Sequence, residues 1–243
     1  MQGRITSIES MGLVDGPGIR AVVFFAGCAI RCVFCHNPET RCATGGEIYT
    51  VDTVIKKLLR FKPYFERSGG GVTFSGGEPL LQPRFLTELL KKCRELNIHT
   101  CLDTAGVGLG EYDEILSYTD LVLYDVKAVT PDGYRKICGG DISNTEPFMQ
   151  ALIRNNTKTI VRQVVIPGIN DTDEYMISLR EYIEKNIPTA TDVELLPYHT
   201  LGSHKYKKLG ITEPLASVKP MSSEICSAFY DRHFKDVNKE KRI

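Results

Sequence analysis

Three cysteines stand close together in a pattern that can bind metal. Cys28, Cys32 and Cys35 form a C-x3-C-x2-C motif, and several thiolates on one short segment favour zinc or an iron–sulfur cluster. A structural zinc site needs four ligands. The remaining cysteines form no second close pair, although Cys42 or His36 could supply the fourth ligand. A cubane cluster held by three cysteines instead leaves one iron open, where a small molecule can bind and be reduced.

A glycine-rich segment ends in Gly76, Gly77 and Glu78. Gly71 and Gly76 have the spacing of a phosphate-binding loop. That loop needs Lys and Ser or Thr at the positions held here by Gly77 and Glu78, so the motif is excluded. On residue types alone, such a segment is most often a connection between a strand and a helix.

Four other side chains could bind a ligand: Asp103, Asp125, Lys127 and His199. Each by itself is most simply a surface charge or a hydrogen-bonded structural histidine. Each, however, lies at or just after the end of a predicted strand. In α/β barrels the carboxyl ends of the strands form the catalytic face. The sequence therefore predicts that these side chains meet the cysteine motif.

Short runs of β-branched and aromatic residues alternate with segments of helical period. The predicted strands are residues 20–26, 71–75, 98–103, 121–126, 159–165 and 193–196. The predicted helices are residues 51–60, 84–96, 112–116, 145–155, 173–185 and 224–234. Alternating strands and helices indicate a parallel sheet, and nearly continuous apolar strands indicate burial on both faces. The predicted fold class is α/β, a partial (β/α)6 barrel.

The composition predicts one globular domain. The chain has 243 residues, of which 42% are hydrophobic and 25% charged, as in proteins with a sizeable core. No linker-like or low-complexity tract interrupts the pattern, so residues 1–243 are expected to form a single domain. Residues 238–243 are mostly charged and are expected to be a solvated tail.

Charge and hydropathy argue against nucleic-acid and membrane partners. Thirty basic residues balance thirty acidic ones, which removes the electrostatic argument for either surface. The longest apolar stretch, residues 21–30, is shorter than the roughly 18 residues that a spanning helix needs. The first ten residues lack the apolar core of a secretory signal, and eight cysteines then indicate reduced thiols. We expect a cytoplasmic protein.

The cysteine motif, placed after the first predicted barrel strand, resembles the signature of the radical S-adenosylmethionine superfamily. Within it, nearly the whole chain resembles the pyruvate formate-lyase-activating enzymes. The segments that carry this resemblance are GPGIR at 16–20, CHNPET at 35–40, GGGVTFSGGEP at 69–79, DT at 103–104, DVK at 125–127 and LLPYH at 195–199. The resemblance implies the partial barrel of that superfamily.

The resemblance also implies a role for individual residues. Cys28, Cys32 and Cys35 would hold a [4Fe-4S] cluster, with the amino and carboxylate groups of S-adenosylmethionine on the fourth iron. The residues implied in binding S-adenosylmethionine are Phe34, Cys35, His36, Gly76, Gly77, Glu78, Asp125, Val126, Lys127 and His199. The residues implied in binding a monovalent cation are Asp103, Thr104 and Asp125. No side chain is expected to act as a catalytic acid or base.

The implied activity is the activation of pyruvate formate-lyase under anaerobic conditions. Reductive cleavage of S-adenosylmethionine to methionine and a 5′-deoxyadenosyl radical would remove hydrogen from a backbone glycine of the lyase. Flavodoxin or ferredoxin would supply the electron. Many glycyl-radical activases carry an insert with two further clusters after the first motif; only Cys42 occupies that interval here, as in the compact activases.

Two other functions remain open on the residues alone. One keeps the radical chemistry but changes the substrate: the chain would be a different compact activase, or another radical enzyme that acts on a small molecule. The other is a binding module whose cysteines hold zinc. The second leaves the Gly-Gly-Glu, Asp-x-Lys and His motifs without a use.

Overall fold

One sheet of eight strands forms the centre of the computed structural model, which describes residues 1–237. The strands are β1 (Gln2–Gly12), β2 (Arg20–Phe25), β3 (Glu47–Thr50), β4 (Gly71–Gly76), β5 (His99–Thr104), β6 (Leu121–Asp125), β7 (Thr159–Val165) and β8 (Ala190–Pro197). Their order across the sheet is β3-β1-β2-β4-β5-β6-β7-β8. The predicted tail at 238–243 lies outside the described residues.

Strands β2, β4, β5, β6, β7 and β8 are neighbours in this order, and each pair is parallel. These six strands are the six that the sequence predicts, each within a few residues. Strands β2 and β4 are buried along nearly their whole length, as expected where packing covers both faces. The prediction of an α/β partial barrel is confirmed.

Two antiparallel strands at one edge are absent from the sequence prediction. Strand β1 pairs with both β2 and β3. Only Ile5 of β1 is fully buried, and β3 has no buried residue. An edge ribbon with so little burial has weak apolar patterning, so its sequence does not distinguish it from a loop.

The described helices cover the strands. They are α1 (Val51–Leu59), α2 (Lys62–Ser68), α3 (Pro83–Glu95), α4 (Tyr112–Ser117), α5 (Pro131–Cys138), α6 (Glu146–Asn155), α7 (Asp173–Asn186), α8 (Ser203–Leu209) and α9 (Ser223–His233). The predicted helices correspond to α1, α3, α4, α6, α7 and α9. Helices α2, α5 and α8 were missed. Helices α2 and α8 each bury a single side chain, so they show no apolar face, and α5 begins with Pro-Asp-Gly, a sequence typical of a turn.

Two of the missed helices lie where they matter for the site. Thr130 caps the start of α5 by accepting a hydrogen bond from the Gly133 N–H, and Gly139 ends the helix in the left-handed conformation. Helix α8 follows β8 and contacts the short 3-10 turn Pro38–Arg41 that leads out of the cysteine loop.

Within residues 1–237, no helix has the length and apolar character to span a membrane.

Candidate cluster and cofactor site

A cavity of about 460 Å³ lies at the carboxyl ends of the parallel strands. Ligand sites typically occupy about 300–1,000 Å³. The predicted site residues that line it are Cys28, Cys32, Phe34, Cys35, His36, Gly76, Gly77, Asp103, Thr104, Asp125, Lys127 and His199. The other two, Glu78 and Val126, are buried and outside this lining. The fold thus brings distant motifs to one place.

The cysteine motif lies on the loop after β2, and α5 holds one side of that loop. The Arg31 N–H donates to the Cys138 carbonyl at 2.7 Å, and the Val33 N–H donates to the Ile137 carbonyl at 2.9 Å. These bonds flank Cys32. The loop is therefore fixed by the last turn of a helix about a hundred residues later in the chain.

Helix α8 holds the other side of the cysteine loop. The Tyr206 hydroxyl donates to the Cys35 carbonyl at 2.8 Å. Arg41 Nη2 donates to the Cys32 carbonyl at 2.9 Å and to the Tyr206 hydroxyl at 3.2 Å. These bonds occupy the main-chain carbonyls of Cys32 and Cys35. Both residues also line the cavity.

The environments of Cys28 and Cys32 oppose ionisation of their thiols. Burial raises the pKa of Cys28 to about 11. Cys32 is almost completely buried, and its Sγ lies 3.7 Å from the Sγ of Cys138. The pKa of Cys32 is well above that of an ordinary thiol, first because of this contact and then because of burial. A thiol loses its proton when it binds a metal, so iron binding at Cys28 and Cys32 would release protons.

The donor set fits a three-cysteine cubane. In such a cluster each thiolate binds a different iron, so the sulfur atoms need not converge on one point. Among residues 1–237, no three His, Cys, Asp or Glu side chains converge as a single-ion site would require. The Tyr134 hydroxyl is buried and has no hydrogen-bond partner in this part of the chain. Burial raises the pKa of this hydroxyl, so it keeps its proton as a hydrogen-bond donor.

The glycine turn after β4 packs directly against the start of the cysteine loop. The Gly77 N–H donates to the Phe25 carbonyl at 2.9 Å, and the Glu78 N–H donates to the Gly27 carbonyl at 2.8 Å. A Cβ on Gly77 would lie 2.1 Å from the Gly27 oxygen, and one on Gly76 would lie 2.3 Å from the Phe25 nitrogen. The absence of side chains here is required by the neighbouring backbone, whether or not a ligand also approaches.

Glu78 ties that turn to the end of β5. Its carboxylate accepts hydrogen bonds from the Thr104 hydroxyl at 2.6 Å, the Ala105 N–H at 3.0 Å and the Leu80 N–H at 3.2 Å. Burial raises the pKa of Glu78 to about 7, although these three donors favour the charged form. Thr104 also accepts from the Gly106 N–H at 2.9 Å. The Glu78 side chain is therefore structural, and only its backbone remains a candidate for the cofactor.

Two carboxylates from neighbouring strands face the cavity. Asp103, at the end of β5, accepts from the Ser75 hydroxyl at 2.5 Å. Its pKa is raised, first by burial and then by the negative charge of Asp125. Asp125 accepts from Lys127 Nζ at 2.6 Å, and that ammonium lies 5.3 Å from the ring centre of Phe34. Carboxylate oxygens in this arrangement can bind a cation or the hydroxyl groups of a ribose.

Arg162 is a site residue that the sequence reasoning missed. It lines the cavity from β7, donates to Glu194 Oε2 and to the Val14 carbonyl, and lies 4.0 Å from Asp103 Oδ1. The available signal was a charged residue inside a predicted strand. Asp15 was also missed; it lines the same cavity, and burial raises its pKa.

The two predicted histidines lie against each other at the cavity wall. The rings of His36 and His199 meet edge to face, with centroids 4.7 Å apart. Burial, and then the neighbouring His199, lowers the pKa of His36. A neutral His36 is favoured, and the pair joins the cysteine loop to the segment after β8.

Comparison with known proteins agrees with the geometry. The sequence model of the Radical SAM superfamily matches residues 22–180. A pyruvate formate-lyase-activating enzyme of Clostridium pasteurianum is 54% identical over 224 residues, which are 92% of this chain and 94% of that protein. The chain belongs to this family. A pyruvate formate-lyase-activating enzyme of Staphylococcus epidermidis is 40% identical over 238 residues, covering 95% of this chain and 94% of that protein.

A solved structure agrees in fold. A radical SAM methyltransferase from Sphaerobacter thermophilus matches with a TM-score of 0.62 at 16% identity, covering 99% of this chain and 76% of that chain. Membership of the Radical SAM family means that the cofactors are a [4Fe-4S] cluster and S-adenosylmethionine. The predicted family and cofactors are confirmed, while the role of each lining residue stays a prediction.

Proposed function

We propose that this chain activates pyruvate formate-lyase by generating a glycyl radical on it under anaerobic conditions. When bound, the cluster supplies an electron that cleaves S-adenosylmethionine to methionine and a 5′-deoxyadenosyl radical, which takes hydrogen from glycine. One observation carries the proposal: the three cysteines share a single cavity with strand-end residues of four motifs. The 54% identity to the clostridial relative supports the choice of substrate.

In this proposal the chain's own residues bind and orient. Cys28, Cys32 and Cys35 hold the cluster. Phe34, Cys35, His36, Gly76, Gly77, Glu78, Asp125, Val126, Lys127 and His199 bind S-adenosylmethionine through side chains or backbone. The ion pair between Asp125 and Lys127, at 2.6 Å, keeps both groups in fixed positions for a zwitterionic and ribose-bearing ligand.

A monovalent cation is assigned to Asp103, Thr104 and Asp125. Burial and then the negative charge of Asp125 raise the pKa of Asp103, so the charged form of Asp103 is costly here. A bound cation would offset that cost, and Arg162 offsets part of it from 4.0 Å.

The remaining roles concern access. A glycine-bearing segment of the lyase would lie across the cavity and exclude water from the radical step. Flavodoxin or ferredoxin is proposed as the electron donor.

We also propose that residues 1–243 act as one domain and that the protein is cytoplasmic. Its eight cysteines, all in the described part of the chain, are unpaired thiols, as in a reducing compartment.

The test is anaerobic incubation of the reconstituted, reduced protein with S-adenosylmethionine and pyruvate formate-lyase. We expect a glycyl radical on the lyase by electron paramagnetic resonance and release of 5′-deoxyadenosine by mass spectrometry. Release of 5′-deoxyadenosine without a radical on an activatable lyase would reject the substrate. Absence of both, with an intact cluster and donor, would reject the activity.

A further inference from the structure

A fourth cysteine lies beside the cluster loop, and the proposed function gives it no role. Cys138 is the last residue of α5 and is fully buried. Its Sγ lies 3.7 Å from the Sγ of Cys32, a distance within the range of a sulfur hydrogen bond. The two residues are 106 positions apart in sequence, so the contact is a product of the fold.

The backbone fixes this contact independently of either side chain. The Cys138 carbonyl accepts from the Arg31 N–H at 2.7 Å, and the Ile137 carbonyl accepts from the Val33 N–H at 2.9 Å. Because these bonds are made on both sides of Cys32, the last turn of α5 keeps a constant register with the cysteine loop. The two sulfur atoms are held together by this register.

Iron binding decides which sulfur is the donor. Either thiol could donate while both carry a proton. A Cys32 thiolate that binds iron has no proton, so the proton in the contact must then belong to Cys138. A thiol is a weak donor, but at this buried position the protein shields the contact from competing water.

We propose that Cys138 is a positioning residue that donates an S–H hydrogen bond to the Cys32 thiolate and raises the reduction potential of the cluster. The inference rests on the assignment of Cys32 as an iron ligand. Adding an electron increases the negative charge on the cluster and its ligand sulfurs. A donor aimed at one of them stabilises the reduced form more than the oxidised form, and hydrogen bonds to sulfur are a known determinant of cluster potential.

The test compares Cys138→Ala with Cys138→Ser on the anaerobically reconstituted full chain. These two side chains are close in size and differ by one hydroxyl donor. The measured quantity is the midpoint potential of the cluster, by titration monitored with electron paramagnetic resonance, without lyase or S-adenosylmethionine. Cys93→Ala, which removes a buried thiol of α3, is the control for loss of a cysteine elsewhere.

We expect Cys138→Ala to lower the equilibrium constant for one-electron reduction by up to about tenfold, which corresponds to 59 mV. Cys138→Ser should restore most of the potential, and Cys93→Ala should leave it unchanged. Equal potentials in the Ala and Ser variants, whether shifted or not, would overturn the proposal, because packing alone would then account for the effect.

The outcome is separable from that of the proposed function. A wild-type cluster whose potential follows the donor series, but which does not activate the lyase, would reject the substrate and leave this inference standing. Normal activation with a flat donor series would reject only the inference. A wild-type chain that assembles no cluster would overturn both.

Discussion

Burial acts in the same direction on the acids around the cavity. Removing a charged group from water raises the pKa of an acid, and this is the largest influence at Glu78, Asp103 and Cys28. The three groups differ in their partners. Glu78 accepts hydrogen bonds from three donors, whereas Cys28, a proposed iron ligand, would exchange its proton for the metal. The protonation of each group therefore depends on its hydrogen-bond partners as well as on its burial.

The first prediction concerns Glu78 and stability. Its pKa is about 7 in the folded chain against a reference of 4.5. Between these values the folded protein binds a proton that the unfolded chain has released, so the free energy of unfolding falls as pH rises. Glu78→Gln resembles the protonated acid. We expect the variant and the wild type to have similar stability near pH 5. Between pH 5 and pH 7.5 the free energy of unfolding should fall by up to about 3 kcal/mol less in the variant than in the wild type, because one pKa unit corresponds to about 1.4 kcal/mol.

Urea unfolding of the chain at pH 5 and pH 7.5 measures this difference. The matched control is Glu66→Gln, which changes an exposed glutamate of α2 and should retain the wild-type pH dependence. An identical pH dependence in Glu78→Gln and the wild type would show that Glu78 titrates normally in the folded protein.

The second prediction concerns the ligand cysteines. Cys28→Ala, Cys32→Ala and Cys35→Ala should each prevent assembly of a complete cluster, because each removes the protein ligand of one iron. Cys32 requires a sharper design, since Cys138 lies 3.7 Å away and could replace it. The double variant Cys32→Ala/Cys138→Ala excludes that replacement.

Iron and acid-labile sulfide per chain are measured after anaerobic reconstitution. Cys226→Ala is the control, because Cys226 lies on α9 and contacts the Leu195 carbonyl outside the cavity. A full cluster in the double variant would remove Cys32 from the ligand set.

At the scale of secondary structure, the cysteine loop is held by three separate elements. Two backbone carbonyls of helix α5 accept hydrogen bonds from the loop, the Tyr206 hydroxyl of α8 donates one to it, and the glycine turn after β4 accommodates the loop's first residues. None of the three is adjacent to the loop in sequence. A change in any of them should therefore affect the cysteines before it affects the sheet.

The third prediction tests the glycine turn. A Cβ at Gly77 would lie 2.1 Å from the Gly27 oxygen and 2.9 Å from the Thr40 oxygen. Both are backbone atoms, so Gly77→Ala must displace the loop that leads to Cys28. We expect iron content to fall severalfold, together with S-adenosylmethionine binding measured by isothermal titration calorimetry.

Gly140→Ala is the matched control, since its added Cβ would meet only side-chain atoms of Ile30 and Tyr134 at 3.6 Å, an ordinary contact distance. It should retain the cluster. Normal iron content in Gly77→Ala with weakened S-adenosylmethionine binding would mean that the loop adapts and that the turn serves the cofactor alone.

For the whole molecule, the balance of charge bears on how the partner arrives. The formal net charge is zero, which gives no basis for long-range steering. Contact would then depend on the fit of a peptide segment to the cavity mouth. Val14 lines the cavity and is largely exposed, and its neighbour in sequence, Leu13, is also exposed.

The fourth prediction is a weak salt dependence of partner association. Between ionic strengths of about 50 and 300 mM, the association rate with pyruvate formate-lyase should change by less than about threefold, because screening has little long-range attraction to remove. Stopped-flow fluorescence measures the rate, and thermal unfolding at both salt concentrations controls for a change in the fold. A tenfold decrease would reveal a charged docking surface.

Local patterns in the sequence determined the parallel core and the chemistry of its first loop. The six parallel strands were predicted because burial on both faces demands nearly continuous apolar residues, a property read within each segment. Cys28, Cys32 and Cys35 were predicted to be metal ligands because metal chemistry depends on residue type and short spacing. The family resemblance then supplied the cofactor.

Tertiary structure alone decided the contacts between distant segments. The edge strands β1 and β3, the inward Arg162 and the pairing of Cys138 with Cys32 all depend on residues far apart in the chain. Glu78 is the clearest case: its motif suggested a turn that offers backbone groups to a cofactor, and only the fold shows that its carboxylate is buried and accepts a hydrogen bond from Thr104. The direction of such a side chain depends on which buried backbone groups still need a hydrogen-bond partner once the fold is packed. No local sequence pattern carries that information.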